Sequence, residues 1–263
     1  MSRACRVLVQ GACGRMGERV RAALDAEPDA VLAAAVEAPG HPRLGDELAP
    51  GVRVGADPVA ALAQCDVAIA FAPPAAALEL LRAAAARAVP CAVGTTGFAA
   101  AERAELEKLA QRTPVVLAAN FSVAVNVLLH LTRRAAALLG PGYDVEIVEL
   151  HHAAKVDAPS GTALALAAAA AEGSGTAGAA QPVAAREGHT GPRPPHAIGI
   201  QALRGGDNPG EHTVLFLGAG ERLELAHRAA TRDHFARGAL RAALWLRGRA
   251  PALYDMEQVL GLR

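Results

Sequence analysis

The feature that most constrains this chain is a set of glycines near its start. Gly11, Gly14 and Gly17 are spaced three residues apart, between the apolar segment Cys5–Gln10 and a helical run over 18–26. A residue without a Cβ lets the backbone turn tightly, lets N–H groups approach a phosphate, and lets a helix pack closely on a sheet. The spacing is not the commoner G-x-G-x-x-G, but the order strand, glycine loop, helix predicts the first unit of a dinucleotide-binding sheet.

Apolar strands and helical runs then alternate as far as Asn120, which predicts a parallel sheet covered on both faces. After Asn120 the pattern changes to a long helix, a strand, a second helix and further strand candidates, which is typical of an α+β domain. The predicted strands are 5–10, 31–36, 67–71, 91–93, 115–118, 144–150, 198–204, 212–217 and 222–227. The predicted helices after residue 26 end at Arg87, 111, 139, 171 and 246.

We therefore expect an α/β chain with an N-terminal doubly wound parallel sheet of the Rossmann type. A C-terminal α+β domain with an open mixed sheet should follow it. The expected boundaries are 1–122 for the dinucleotide-binding domain, completed by 232–263, and 123–231 for a substrate-binding and oligomerisation domain.

Charge and cysteine content exclude several other classes of protein. Lys and Arg together number 26, as do Asp and Glu, so a general nucleic-acid partner is not expected. Four cysteines without a close pair suggest reduced thiols, and no metal site is expected. The uncharged run 113–132 is long enough for a membrane, but its polar residues favour a buried strand and helix. Because the apolar stretch near the start is too short for a signal peptide, we expect a cytoplasmic protein without a membrane partner.

A carboxylate follows the second strand at the place where dinucleotide-binding sheets hold a ribose. Glu37 lies 20 residues beyond Gly17 and can accept ribose hydroxyl bonds. A carboxylate there favours the free 2′-hydroxyl of NADH and repels a 2′-phosphate, although Arg15 could offset that repulsion. Gly94, Thr95 and Thr96 follow the fourth strand, where a doubly wound sheet binds ligands, but an ordinary turn with a helix cap explains them equally well.

A reactive segment follows the strand over 144–150. The chain contains only two lysines, Lys108 in a charged helical run and Lys155 beside the histidines His151 and His152. Ser160, Gly161 and Thr162 then begin a helix, so their backbone N–H groups, with the lysine, could hold a small carboxylate. A histidine nearby could supply a proton at neutral pH. Taken singly, each of these residues has a structural explanation, and only the combination indicates a reaction site.

The same segment resembles the signature of the dihydrodipicolinate reductase family. Residues Glu146 to Ala163 match the pattern Glu-Ile-x-Glu-x-His-x-x-x-Lys-x-Asp-x-Pro-Ser-Gly-Thr-Ala at every specified position. The resemblance extends to most of the chain, through residues 11–17, 94–98, 119–122, 186–191, 210–212 and 243–246. It implies hydride transfer from NADH or NADPH to a small cyclic imino dicarboxylate after loss of water, and a homotetramer.

The resemblance also assigns roles to individual positions. His151 matches the proton donor and Lys155 its partner in catalysis and substrate binding. The substrate carboxylates are expected at His152, Lys155, Ser160, Gly161 and Thr162. The coenzyme is expected at Gly11, Ala12, Cys13, Gly14, Arg15, Met16, Glu37, Gly94, Thr95, Thr96, Asn120, Phe121 and Arg232.

Two departures from the family pattern bear on the coenzyme. Members that accept NADPH often have arginine after the acidic residue, whereas this chain has Ala38, which favours NADH. The third strand ends in Ala70-Phe71-Ala72 where Asp-Phe-Thr or Asp-Phe-Ser is common, which removes a carboxylate and a hydroxyl. Two other functions remain open: a dehydrogenase for another small carboxylate, such as an amino acid, and a dinucleotide sensor without catalysis.

Overall fold

A computed structural model describes residues 3–262, which fold as two compact units. Unit 1 contains the chain up to Val123 and again from Asp233, and unit 2 contains Ala124–Arg232. The strands of unit 1 are β1 Cys5–Gln10, β2 Ala30–Val36, β3 Glu47–Ala49, β4 Val52–Gly55, β5 Val67–Ala70, β6 Cys91–Val93, β7 Val115–Leu117 and, late in the chain, β13 Leu253–Tyr254. Its helices are α1 Arg15–Asp25, α2 Pro58–Leu62, α3 Pro74–Arg87, α4 Ala100–Ala110, α7 Asp233–Trp245 and α8 Met256–Leu260.

The sheet of unit 1 is doubly wound, as predicted. Within the described residues its order is β13-β7-β6-β5-β1-β2-β4-β3, and every pair is parallel except β3 with β4. Alternate residues of β1 enter two separate cores. Val7 and Val9 pack with α1, α7 and α8, whereas Leu8 packs with α2, α3 and α4 on the other face. Burial on both faces explains why these strands read as continuous apolar runs.

Several elements differ from the sequence expectation. Helix α1 begins at Arg15 and not at Glu18, because Gly14 is still extended (φ −78°, ψ 167°) and serves as the N-cap. Gly17 therefore lies inside the helix, where a Cβ would stand 2.0 Å from the carbonyl oxygen of Gly11. The elements β3, β4, α2, β13 and α8 were not predicted, nor was the short strand Gln181–Val183 of unit 2.

Unit 2 is built on a mixed sheet, again as predicted. Its strands are β8 Asp144–His151, β9 Gln181–Val183, β10 Ala197–Arg204, β11 Glu211–Leu217 and β12 Arg222–Arg228, in the order β12-β11-β8-β10-β9. β8 pairs parallel with β10 and antiparallel with β11. Helices α5 Val123–Leu139 and α6 Gly161–Gly173 cover one face, where Ile147, Ile200 and Phe216 are fully buried.

The uncharged run over 113–132 forms β7 and the first part of α5, as predicted. Helix α5 with the turn after it, Val123–Gly142, is long and apolar enough to cross a membrane by length and composition. Within unit 2 this helix contributes Leu128 and Ala136 to the core, and Arg133 pairs with Glu172 of α6 at 2.8 Å. The apolar character of α5 is therefore used at least in part for packing inside unit 2.

Candidate functional site

The glycine loop of unit 1 ends at a helix whose first turn has no side-chain cap. Gly14 provides no hydrogen-bonding side chain, so the first N–H groups of α1 have no partner from that residue. These groups and the positive end of the helix dipole suit a phosphate. Gly11 has φ +76°, and a Cβ there would stand 2.4 Å from the carbonyl oxygen of Phe71. The loop is therefore tight, uncapped and open to an anion.

Glu37 is held in place by the glycine loop. Its Oε1 accepts the backbone N–H of Cys13 at 2.7 Å, so the carboxylate at the end of β2 is tied to the turn after β1. Sequence reasoning did not find Arg43, a second basic group near this turn. The Arg43 guanidinium binds Asp46 at 2.9 Å and lowers the pKa of the Cys13 thiol, although burial raises that pKa on balance.

Five further residues predicted for the coenzyme follow β6 and β7: Gly94, Thr95, Thr96, Asn120 and Phe121. Thr95 and Thr96 line a cavity of about 310 Å³ with Phe98 and Leu117. The Thr95 hydroxyl already donates to the carbonyl of Ala72 at 2.8 Å, so a ligand would meet the exposed Thr96 more readily.

Aromatic packing fixes the positions of Gly94 and Phe121, and Asn120 directly precedes Phe121 in the sequence. A Cβ on Gly94 would stand 2.2 Å from the Phe71 ring, so only glycine fits there. The Phe121 ring is buried edge-on to Phe71 with centroids 5.9 Å apart, which leaves only its backbone for a ligand. Asn120 is half-buried, and its Oδ1 accepts the backbone N–H of Ser122 at 2.8 Å.

In unit 2, the predicted proton donor lies at the end of β8 against a buried carboxylate. His151 is 9% exposed, and its Nδ1 lies 2.5 Å from Oε2 of Glu149, which is fully buried. Since Glu149 is an acceptor, Nδ1 carries the proton, and Nε2 is the nitrogen left for exchange. A Cβ on Gly210 would stand 2.9 Å from Nε2, so glycine is needed to leave room for the ring.

Burial and charge set the protonation of this group. Burial lowers the pKa of His151, and the Glu149 carboxylate opposes that effect. Burial raises the pKa of Glu149, but hydrogen bonds from Arg204, His151 and the Ser160 backbone lower it on balance, so Glu149 is ionised. Burial, with the nearby His151, lowers the pKa of His212 to about 4, so His212 is neutral.

The predicted anion-binding residues begin at Lys155. Its Nζ donates to both carboxylate oxygens of Asp157, at 2.7 and 2.8 Å. Ser160 caps α6 by accepting the backbone N–H of Ala163 at 3.2 Å, and its Oγ lies 3.1 Å from Nε2 of His212. The hydroxyl of Ser160 is thus already hydrogen-bonded within the protein.

Beyond that cap, the start of α6 faces open space. Gly161 is exposed, and no atom lies within 4 Å of the place where its Cβ would stand. Thr162 is half-buried in the same first turn. The backbone N–H groups at the start of α6 are therefore better placed to bind an anion than the Ser160 hydroxyl is.

Arg232, which the resemblance assigns to the coenzyme, lies against a residue assigned to the substrate. Its Nη2 is 3.1 Å from Nε2 of His152, within unit 2. Sequence reasoning also missed Glu149, Arg204 and, as a site residue, His212. Within the described residues no group of His, Cys, Asp and Glu side chains is arranged to hold a metal ion.

Comparison with known proteins identifies the family to which these units belong. Residues 5–121 match the family model described as dihydrodipicolinate reductase, N-terminus, and residues 124–260 match the model described as dihydrodipicolinate reductase, C-terminus. The chain belongs to the dihydrodipicolinate reductase family. The two matched segments together span nearly all of the chain.

Curated relatives agree with this assignment. A 4-hydroxy-tetrahydrodipicolinate reductase of Anaeromyxobacter dehalogenans (strain 2CP-1) is 49% identical over 265 residues, covering 98% of each chain. One from Thiobacillus denitrificans is 48% identical, covering 98% of this chain and 99% of that one. A solved dipicolinate-bound dihydrodipicolinate reductase from Paenisporosarcina sp. TG-14 shares the fold, with a TM-score of 0.79 over 96% of this chain and 97% of that one, at 23% identity.

Proposed function

We propose that this chain reduces 4-hydroxy-tetrahydrodipicolinate to tetrahydrodipicolinate with NADH or NADPH. Its family makes it an NAD(P)-dependent oxidoreductase of lysine and diaminopimelate biosynthesis. The substrate and the chemical steps are the proposal. The observation that carries them is the arrangement in unit 2, where a buried carboxylate–histidine pair lies beside a lysine and a helix start.

Unit 2 supplies the groups that bind the substrate. The positive charge of Lys155 binds one substrate carboxylate. That carboxylate must compete with Asp157, with which Lys155 is paired in the structure. The backbone at Gly161 and Thr162 and the positive end of α6 suit a second carboxylate. Ser160 holds this helix start in place, and His152 with Arg232 adds further donors. Two carboxylate sites fit a cyclic imino dicarboxylate.

His151 supplies the proton. The net reaction takes up one hydride and one proton and releases one water. Since Nδ1 is engaged by Glu149, protonated His151 delivers its proton from Nε2 and returns to the neutral form. Lys155, whose Nζ donates to the Asp157 carboxylate, binds substrate in this scheme, and His151 serves as the acid.

Unit 1 supplies the coenzyme site. The nicotinamide coenzyme provides the hydride. The uncapped start of α1 after Gly11–Met16 fits its pyrophosphate, and Glu37 fits a ribose hydroxyl. The cavity beside Thr95 and Thr96 lies at the carboxyl ends of β6 and β7, with Gly94 and Asn120 nearby in sequence. The carboxylate of Glu37 followed by Ala38 favours NADH over NADPH, with Arg15 as the nearest counterweight in sequence.

The open face of the sheet in unit 2 suits assembly with further copies of the chain. Register places Val148, Leu150, Leu203, Leu215 and Leu217 on the face opposite α6, and Leu203 is 52% exposed. We propose that this face forms a homotetramer, which sedimentation would detect as four times the 26.8 kDa chain mass. We also propose a cytoplasmic protein without a membrane or nucleic-acid partner, in keeping with equal numbers of acidic and basic residues.

A coupled spectrophotometric assay tests the proposed reaction. A synthase would form the substrate from pyruvate and aspartate semialdehyde, and oxidation of NADH and of NADPH would be followed separately. Synthase-dependent oxidation, faster with NADH, is expected. Reduction of NAD⁺ or NADP⁺ by an amino acid, without oxidation of NADH or NADPH by the synthase product, would favour the other-dehydrogenase function. Coenzyme binding without any turnover would favour the sensor.

A further inference from the structure

Glu149 occupies a position in β8 where the fold otherwise places apolar side chains. The alternating inward residues of β8 are Val145, Ile147, Glu149 and His151, and the first two pack in the core of unit 2. Glu149 is fully buried. A carboxylate at such a position is unfavourable unless it is paired, so its partners should explain why it is there.

Four hydrogen bonds surround this carboxylate. Oε1 accepts the backbone N–H of Ser160 at 3.0 Å and Nη2 of Arg204 at 2.9 Å. Oε2 accepts Nη1 of Arg204 at 2.8 Å and lies 2.5 Å from Nδ1 of His151. One carboxylate thus connects the proposed proton donor with the start of the proposed anion-binding helix. Arg204 completes the connection by donating to the carbonyl of Asp157 at 2.7 Å.

The same strand carries a second paired glutamate that provides a comparison. Glu146 lies on the opposite face of β8, where Arg186 binds both of its oxygens at 2.8 and 2.9 Å. Arg193 adds a third bond at 3.2 Å. These side-chain bonds of Glu146 all come from arginines, which suffices for a purely structural ion pair. Glu149 differs because its Oε2 also bonds the ring of a histidine, His151.

We propose that Glu149 is a positioning residue for the reduction: it fixes His151 with the proton on Nδ1, directs Nε2 toward the reaction, and stabilises the protonated ring. This role rests on the proposed function of His151 as the proton donor. Arg204 keeps Glu149 ionised, and the Ser160 bond places the helix start relative to the same carboxylate. Glu149 itself touches neither substrate nor coenzyme.

The charges that face His151 give the sign of the expected pH effect. Beside Glu149 on β8, the titratable or charged groups around the ring are Lys155 and Asp157 in the following loop, Arg204 at the end of β10, His212 on β11 and, behind it, His227 on β12. Lys155 and Arg204 disfavour the protonated ring, whereas Glu149 favours it. Removing the Glu149 charge therefore lowers the pKa of His151 further.

The test compares Glu149→Gln with the control Glu146→Gln. Because the proton donor must be protonated, kcat/KM falls as pH rises through the pKa of His151. In Glu149→Gln this fall is expected at lower pH, and kcat at neutral pH is expected to drop about 10- to 100-fold with little change in KM. Glu146→Gln is expected to leave the pH profile in place. A Glu149→Gln profile that coincides with wild type would overturn the proposal.

A second measurement does not depend on activity, and its tautomer readout does not depend on whether Glu149→Gln folds. Nitrogen NMR of the imidazole rings distinguishes the two neutral tautomers, and a His151→Gln spectrum identifies the His151 signals among nine histidines. We expect the Nδ1–H form in wild type, and a His151 signal that titrates at lower pH in Glu149→Gln. An Nε2–H form would refute the positioning role even in an active reductase. Conversely, an inactive wild type with the expected tautomer would refute only the proposed function.

Discussion

Replacing Gly17 with alanine separates helix propensity from the packing of the glycine loop. Propensity alone predicts that alanine in α1 stabilises unit 1 by about 1 kcal/mol. In the structure, the new Cβ would stand 2.0 Å from the carbonyl oxygen of Gly11 and 2.7 Å from Cα and C of Ala12. All three are backbone atoms and cannot rotate away, so α1 would have to move by more than 1 Å. Overpacking of this kind costs about 1–3 kcal/mol, and we expect net destabilisation of about 2 kcal/mol.

The chain provides a local reporter for this measurement. Its single tryptophan, Trp245, lies half-buried in α7 of unit 1, edge-on to Tyr254 at 5.1 Å and beneath the Arg249 guanidinium at 4.1 Å. Urea unfolding followed by Trp245 fluorescence therefore reports on unit 1. A loss of about 2 kcal/mol should lower the midpoint by about 1 M urea. Titration with NADH should show binding at least about tenfold weaker, because the moved helix no longer presents its N–H groups to the pyrophosphate.

Gly55→Ala is the matched control. Gly55 lies in β4 of the same unit, its φ is not positive, and the nearest atom to a new Cβ would be the carbonyl oxygen of Ala35 at 4.0 Å. We expect a change within about 0.5 kcal/mol and unaltered coenzyme binding. If Gly17→Ala raised the midpoint as propensity predicts, or bound NADH like wild type, the packing argument for the glycine loop would be wrong.

Four further substitutions test the proposed site, each by steady-state kinetics in the coupled assay. His151→Gln should lower kcat about 10²- to 10⁴-fold with little change in substrate KM, and near-normal kcat would remove it as proton donor. Lys155→Ala should lower kcat and raise substrate KM together, whereas an unchanged KM would exclude it from carboxylate binding. Ala38→Arg should raise the ratio of NADPH to NADH kcat/KM about tenfold, and an unchanged ratio would show that this position is remote from the 2′-phosphate. Arg232→Ala should raise the substrate KM more than the coenzyme KM because Arg232 contacts His152, and the reverse order would assign it to the coenzyme.

The parallel sheet was predictable because its signal is repeated many times along the chain. Strands buried on both faces need apolar residues at nearly every position; β5 and β6 satisfy this without interruption, and β1 satisfies it at its central residues Val7, Leu8 and Val9. The segment that forms β3, β4 and α2 was missed since its elements are only three to five residues long. Elements this short contain too few periods to be recognised, and they form because β2 offers an edge for β4 to pair with.

The site was only partly predictable, for a different reason. His151 and Lys155 follow one another along the chain, so their residue types and spacing were enough to suggest chemistry. Arg204 and His212 reach the same place through strand register, with His212 opposite Glu149 and Arg204 opposite His151. Register between distant strands depends on the whole sheet, and one sequence does not specify which of many arginines arrives there.

One signal of the missing residues was nevertheless present in the sequence. The alternation in β8 that gives Val145 and Ile147 an inward direction also gives Glu149 and His151 that direction, because side chains alternate strictly along a strand. A charged residue at an inward position requires a buried partner. The sequence alone therefore predicts that an arginine or a histidine lies beside Glu149, although it does not predict which one. At the end of this strand the apolar pattern gives way to paired charge, where the buried Glu149 carboxylate lies against His151. For that reason, a break in an otherwise regular pattern is informative about function.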